Sequence, residues 1–224
     1  MTHLEKILQC IKNNHVFIQT HDFPDADAIG SAFGIQYLLK LNNIDSTICY
    51  RGKIDRSYLS KMLDALNIEL FNIKNIDDIP NNDSIILVDS QKGNSNLLNF
   101  TCTNVICIDH HPTFACSDYL YKDIRPDIGA CSSIIASYFF ESGIEIPKNV
   151  ATAILYGIKV DTANLTRHVS DLDLDMFYHI FKLADIDLTK SFDMSTLQFN
   201  DLTAYAHAIN SIQVYDDISF TNTG

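Results

Sequence analysis

Four short stretches of the 224-residue chain end in side chains that bind metals. "HDFPDADAIGS" carries His21, Asp25 and Asp27. The apolar run "SIILV" ends at Asp89, "VICI" runs into Asp109, His110 and His111, and "ATAILYGIKV" closes on Asp161. Carboxylates and imidazoles together suit hard-to-borderline divalent cations, Mn²⁺ first, with Mg²⁺, Co²⁺ or Fe²⁺ as alternatives. Two such ions roughly 3.5–4 Å apart can share a bridging water and a bridging carboxylate, and clamp the oxygens of a phosphoryl group during in-line displacement. Asp25 and Asp27, one residue apart on a turn, can each face a different ion. The helix that follows offers free N–H groups to an anion. The chemistry that wants this donor set is metal-assisted hydrolysis.

Taken singly, each acid has an ordinary reading. Asp22, Asp25 and Asp27 fit a loop and helix N-cap, Asp89 fits a cap after its strand, and the Asp-His-His triplet fits an exposed loop end. Asp161 fits a residue of no consequence at a helix C-terminus, although the helix dipole disfavours an acid there. The argument rests on all four following apolar segments.

The elements that must position them alternate. Short β-branched and apolar runs at 16–20, 45–50, 69–73, 83–90 and 104–111 read as strands, with helical periodicity at 28–43 and 55–67 between them. The runs at 83–90 and 104–111 are nearly continuous, as expected of strands buried on both faces of a sheet. Helices follow at 129–143, 147–162, 171–185 and 197–210. This order predicts an α/β fold: an open, mainly parallel five-stranded sheet with helices on both faces. In such sheets ligands bind beyond the carboxyl ends of the strands, where the strand order reverses. Residues 209–224 read as a strand, a turn at Asp216-Asp217 and the start of another strand. The expected division is a catalytic domain over 1–190, then a connecting helix and the start of a truncated second domain over 191–224.

The formal net charge of −12 argues against non-specific binding of long duplex nucleic acid, which needs a basic face. Two bound divalent ions would reduce it only to −12 + 4 = −8, so an anionic substrate must be gripped locally. No apolar run approaches the roughly 18–20 residues of a membrane span, and the N-terminus lacks the pattern of a signal peptide. The expectation is a cytoplasmic protein without a membrane partner. Six scattered cysteines with no C-x-x-C pair read as reduced thiols rather than a zinc site.

"HDFPDADAIGS", "LVDS", "IDHHPT" and "YGIKVDTANLTR" resemble, in order and spacing over roughly residues 15–170, the four motifs of the DHH phosphoesterase superfamily. The N-terminal part is similar to its branch of oligoribonucleases, 3′-phosphoadenosine-5′-phosphate phosphatases and cyclic-dinucleotide phosphodiesterases. The resemblance implies that His21 and Asp25 bind one Mn²⁺, that Asp27, His110 and Asp161 bind a second, and that Asp89 bridges them. It implies that Asp109 orients the adjacent histidine, His110, and that His111 lies behind the ligands or contacts the scissile phosphate. The implied substrate is a short oligonucleotide or small nucleotide. Two departures stand out: Leu165 replaces a common aromatic, and the glycine- and histidine-rich motif of the branch's C-terminal DHHA1-type domain is missing.

Arg125, Arg167, His168 and Lys159 are candidates for pairing with phosphate, and Ser132 and Ser133 for donating to it, although surface charge and helix capping are the commoner uses. His3, His15, His179 and His207 read as structural or surface residues, and Tyr37, Tyr138, Phe139 and Phe140 as core. Two other readings stay open: an inorganic pyrophosphatase or short-chain polyphosphatase, and a metal-bound nucleotide sensor without turnover. A homodimer also stays open.

Overall fold

The computed structural model describes residues 1–12, 15–54, 57–75, 83–98, 104–113, 118–193 and 199–221. The chain divides into two units, Met1–Phe192 and Asp193–Gly224.

The first unit is built on a six-stranded sheet. Its strands are β1 (His15–Gln19), β2 (Asp45–Tyr50), β3 (Phe71–Asn72), β4 (Ser84–Val88), β5 (Val105–Asp109) and β6 (Tyr121–Ile124), in the order β3-β2-β1-β4-β5-β6. Every neighbouring pair is parallel. The chain therefore builds outward from β1 in one direction, then returns to its other side and builds outward again from β4. The reversal lies between β1 and β4, which pair from Val16 opposite Ser84 to Gln19 opposite Leu87. This is the crevice where doubly wound sheets bind ligands.

The strands read as continuous apolar runs because both faces are covered. Val16, Ile18, Ile48, Ile86, Val88, Ile106 and Ile108 join the larger core, and Phe17, Cys49, Ile85, Leu87 and Val105 join a smaller one with Ile73 and Leu97. The helices of the larger core include α1 (His3–Cys10), α2 (Ala26–Leu41), α3 (Ser57–Leu66), α4 (Cys131–Ser142), α5 (Lys148–Asp161) and α6 (Asp171–Phe181). A seventh, α7, covers Ile186–Asp193.

Helices α2 and α5 pack at glycine contacts. A Cβ on Gly30 would lie 2.7 Å from the Ala153 carbonyl oxygen, and one on Gly157 would lie 2.4 Å from Ser132 Oγ and 3.1 Å from the Ala26 carbonyl oxygen. Only residues without a Cβ allow this approach. It matters to the site because Asp27 opens α2 and Asp161 closes α5.

The expected open parallel α/β sheet is present, with six strands instead of five. The sixth, Tyr121–Ile124 ("YKDI"), has Lys122 and Asp123 at its centre and escapes an apolar pattern. Asp123 is nevertheless buried, held by Arg125 through Nε and Nη2 at 2.8 and 2.7 Å. The expected strand at 69–73 shrinks to Phe71–Asn72, and the helical stretch 171–185 stops at Phe181. Asp185 then caps α7 by accepting from the Leu188 N–H at 3.0 Å.

Cys49, Cys107 and Cys131 are buried, Cys10 is half-buried, and all four are unpaired. Burial pushes the Cys49 and Cys107 thiols up to about 12. Cys102 and Cys116 lie outside the described residues. No helix among the described residues is long and apolar enough to cross a membrane.

The second unit holds α8 (Phe199–Asn210) and an antiparallel hairpin of β7 (Gln213–Tyr215) and β8 (Ile218–Phe220). Asp216 takes a left-handed φ of 51° at the turn, where Asp216-Asp217 was expected to reverse the chain. The first residues of the expected 197–210 helix lie outside the described residues.

Candidate metal centre

The ends of β1, β4 and β5 deliver the acids and histidines to one place. Asp25 caps α2, its Oδ1 accepting from the N–H groups of Asp27 and Ala28 at 3.0 Å each. The ordinary reading of Asp25 as a cap is thus correct, and the same oxygen lies 3.9 Å from His21 Nε2. Asp27 is fully buried and reaches across to α4, where its two oxygens accept from the N–H groups of Cys131 (2.7 Å) and Ser132 (2.8 Å). A carboxylate at a helix N-terminus is stabilised by the unpaired amides there.

The two histidines are held alike. His21 Nδ1 donates to the Asp22 carbonyl at 2.8 Å, and His110 Nδ1 donates to the Ile128 carbonyl at 3.1 Å. Each Nε2 then faces carboxylates. His21 Nε2 is 3.5 Å from Asp89 Oδ2, and His110 Nε2 is 3.2 Å from Asp89 Oδ1, 3.3 Å from Asp161 Oδ2 and 3.9 Å from Asp27 Oδ2. One ring nitrogen fixed by a carbonyl and the other aimed at a cluster of acids is how a metal-binding imidazole is oriented.

Asp89 stands between them. Its backbone is left-handed, with φ 56°, and its N–H donates to the Ile108 carbonyl at 3.0 Å. This conformation costs a non-glycine residue about 1 kcal/mol, and it turns the side chain into the crevice instead of along the strand. Asp89 Oδ1 is buried and makes no hydrogen bond among the described residues, although His110 Nε2 lies 3.2 Å and His111 Nδ1 3.5 Å away. A buried oxygen left unsatisfied calls for another partner. The donor atoms fall into three groups within 4.8 Å of one another: Asp89/Asp109/His110/His111, in which Asp109 and His111 already bond each other, and two triads, His21/Asp25/Asp89 and Asp27/His110/Asp161. The residues present fit a divalent cation in each triad.

The charges point the same way. Burial opposes protonation of His21, but Asp25 and Asp89 outweigh it and raise its pKa to about 11. Burial likewise opposes the charge on His110, and Asp89, Asp27 and Asp161 raise it to about 10. Asp89 is buried, yet the two histidines hold its pKa well below the carboxylate range. Burial and the neighbouring Asp89 push Asp27 well above it. Without cations the cluster thus keeps protons on groups that a metal needs deprotonated.

Asp109 has a different partner from the one expected. Its Oδ1 accepts from His111 Nδ1 at 2.9 Å and from the His110 N–H at 2.8 Å. It therefore orients the ring of His111, while the Ile128 carbonyl orients that of His110. Asp109 itself is fully buried, and its Oδ2 accepts from Gln91 Nε2 at 2.7 Å; the same amide donates to the His111 carbonyl at 2.9 Å. Gln91 was missed because, two residues after Asp89 in a loop, it carries no local sign of burial.

Of the six residues proposed from sequence to meet phosphate, Arg167 and His168 border the site. They line a cleft with His110, His111, Gly129 and Asp161, and Arg167 Nη2 donates to the Asp161 carbonyl at 2.9 Å. Arg125 is turned away into a network with Asp123 and His3, whose imidazole also stacks on Tyr138. Ser132 and Ser133 are fully buried, Ser132 Oγ against the Asp27 carbonyl and Ser133 Oγ donating to Asp173 at 2.5 Å. They serve the scaffold, since their hydroxyls point into α-helical packing. Lys159 lies over the Tyr156 ring. Tyr138 and Phe139 are core as expected, Tyr37 packs at its margin and Phe140 is exposed. Asp173, also missed, accepts from the Gly129 N–H at 2.7 Å as well as from Ser133 and Ser170, and so braces the segment leading into α4. On the other side of His111, a second cleft is lined by Asp89, Gly93, Asn94, Ser95 and Asn96.

Three relatives frame this geometry. The uncharacterised protein MJ1633 of Methanocaldococcus jannaschii is 32% identical over 91% of this chain and 42% of its own length. A cyclic-di-AMP phosphodiesterase, PdeA of Listeria monocytogenes, is 27% identical over 95% of this chain and 34% of its own. A Streptococcus thermophilus protein described as "Probable manganese-dependent inorganic pyrophosphatase" is 29% identical over 70% of this chain and 52% of its own. The chain thus spans about half or less of the length of the relatives it matches. The sequence model described as "DHH family, N-terminal domain" matches residues 15–158. With that match over most of its length, and with the Asp-His-His triplet at the carboxyl edge of the sheet, the chain belongs to the DHH family.

Proposed function

We propose that this chain is the catalytic part of a two-metal phosphoesterase that hydrolyses phosphate esters of short oligonucleotides or small nucleotides, such as 3′-phosphoadenosine-5′-phosphate and linear or cyclic dinucleotides. The observation that carries this reading is the position of Asp89, whose two oxygens face different histidines in two adjoining triads. In this reading His21, Asp25 and Asp89 hold one cation, and Asp27, His110, Asp161 and Asp89 hold the other. The donor set favours Mn²⁺, with Mg²⁺, Co²⁺ or Fe²⁺ as alternatives. Bound there, two cations supply an activated water and charge neutralisation at the phosphoryl oxygens.

The chain's own residues do the rest. Asp109 fixes His111 with its proton on Nδ1, which leaves Nε2 for the cleft. Hydrogen bonding to Asp109 raises the His111 pKa, so the ring can carry a proton to a leaving alkoxide near neutral pH. Arg167 offers a guanidinium to the phosphate from the rim. Residues 1–190 form the catalytic domain in this reading.

Turnover of a dinucleotide and of 3′-phosphoadenosine-5′-phosphate tests the proposal. Activity that vanishes with chelator and returns with Mn²⁺ is expected; activity indifferent to exhaustive chelation would overturn it. The second reading, a pyrophosphatase, is favoured by the resemblance to the streptococcal protein, and pyrophosphate assayed beside the dinucleotide separates the two. A nucleotide sensor would bind nucleotide without hydrolysis at any metal concentration.

A further inference from the structure

Between the metal-site residues His21 and Asp25 stands an aromatic ring that the proposed chemistry does not use. Phe23 is 61% exposed. Among the described residues it is the one large exposed apolar side chain on the loops that carry the site's acids and histidines. Its backbone is left-handed, φ 55°, a conformation that bulky residues rarely adopt. The surroundings enforce it. The Phe23 N–H donates to the Arg51 carbonyl at 2.9 Å, Arg51 Nε donates to Asp22 Oδ2 at 2.9 Å, and the Asp22 N–H donates to the Asn96 carbonyl at 2.7 Å. One side of the ring rests on Gly52, where a Cβ would come within 2.9 Å of it. The bond from Asp22 to Asn96 joins this loop to the wall of Asn94, Ser95 and Asn96 that runs from Asp89 and His111. That wall is uncharged and rich in amide and hydroxyl groups.

We propose that Phe23 is a stacking platform for a nucleobase, with the Asn94–Asn96 wall meeting the polar edges of the nucleoside whose phosphate lies at His111 and Asp89. The proposal rests on the nucleotide reading above and narrows it to substrates that carry a base. A rigid exposed ring next to neutral hydrogen-bonding groups suits a base, which has an apolar face and a polar edge. A base-free phosphate or pyrophosphate gains nothing from such a ring.

The test compares a dinucleotide with an abasic dinucleotide of the same backbone, using the 224-residue chain loaded with Mn²⁺. Phe23→Ala should lower the ratio of their kcat/KM values roughly 10-fold, the size of one lost base–aromatic stack, through KM. Phe23→Trp should restore the ratio, and Phe23→Leu should not. An unchanged ratio in Phe23→Ala overturns the proposal. In parallel, the fluorescence of a 2-aminopurine dinucleotide should be quenched on binding to the wild type and not by Phe23→Ala. If the wild type turns over neither substrate, the phosphoesterase reading falls, and the fluorescence decides the subsite alone: quenching that needs Phe23 supports it, and equal or absent quenching overturns it.

Discussion

His111 Nδ1 donates to Asp109 Oδ1 over 2.9 Å, and the carboxylate that receives it is fully buried. The exposed histidine of the Asp-His-His triplet is thereby oriented by its buried acid, whereas His110 is oriented by the Ile128 carbonyl, and the two rings lie side by side with centroids 4.3 Å apart. The two imidazoles have different work, and substitutions should separate them. His111→Ala is expected to keep most of its Mn²⁺ and lose about 10²–10⁴-fold in kcat, the usual contribution of a general acid. Asp89→Ala is expected to lose both metals and all measurable activity. Elemental analysis beside steady-state kinetics checks both, and full metal content in Asp89→Ala would rule out its bridging role.

Gln91 acts through Asp109. Gln91→Met keeps the bulk but leaves Asp109 Oδ2 and the His111 carbonyl without their donor. Leaving Oδ2 of the fully buried Asp109 unsatisfied costs about 1–3 kcal/mol of stability. Loosening the support of His111 should lower kcat by about 10–100-fold with metal content unchanged. Denaturant unfolding and a pH–rate profile check this, the profile because a freed His111 loses the stabilisation of its protonated form.

Metal binding should release protons. His21 and His110, raised to about 11 and about 10 in the metal-free cluster, are protonated at neutral pH. Cations must displace those protons, so Mn²⁺ affinity is expected to rise with pH, read by calorimetry in buffers of different ionisation enthalpy. The metal-free stability has the opposite slope. A histidine whose folded pKa lies above 6.5 stabilises fully below that pH and stops doing so as pH rises through about 10–11. Asp27, raised by burial, adds to the loss above the ordinary carboxylate range. Thermal melts of chelated protein should therefore fall in Tm from neutral to alkaline pH. A flat or rising Tm would contradict the assigned protonation.

Gly157→Ala tests the scaffold. Its new methyl would meet Ser132 Oγ and the Ala26 carbonyl, forcing α5 away from α2. A loss of about 1–3 kcal/mol is expected from overpacking. Weaker Mn²⁺ binding should accompany it, because the shift separates Asp161 from Asp27. Isothermal titration with Mn²⁺ checks the second effect independently of the first.

The parallel sheet and the eight acids and histidines at its edge were legible in the sequence, because both depend on local patterns. An apolar run long enough for a strand must be buried, and in a parallel sheet the residue after it arrives at the carboxyl edge. Strand β6 was not legible, since Lys122 is exposed and the buried charge of Asp123 is neutralised by Arg125, beyond the strand, so the run leaves no apolar signature. Tertiary structure alone decided the finer partnerships. Asp27 meets the amides of Cys131 and Ser132 more than 100 residues away, and Gln91 meets Asp109 across neighbouring strands. Arg125, Ser132 and Ser133, plausible phosphate contacts by position, are spent on Asp123, Asp27 and Asp173. Residue types reveal what a side chain is able to bind. Which partner it takes depends on the atoms that packing brings within hydrogen-bond distance, and those belong to distant parts of the chain.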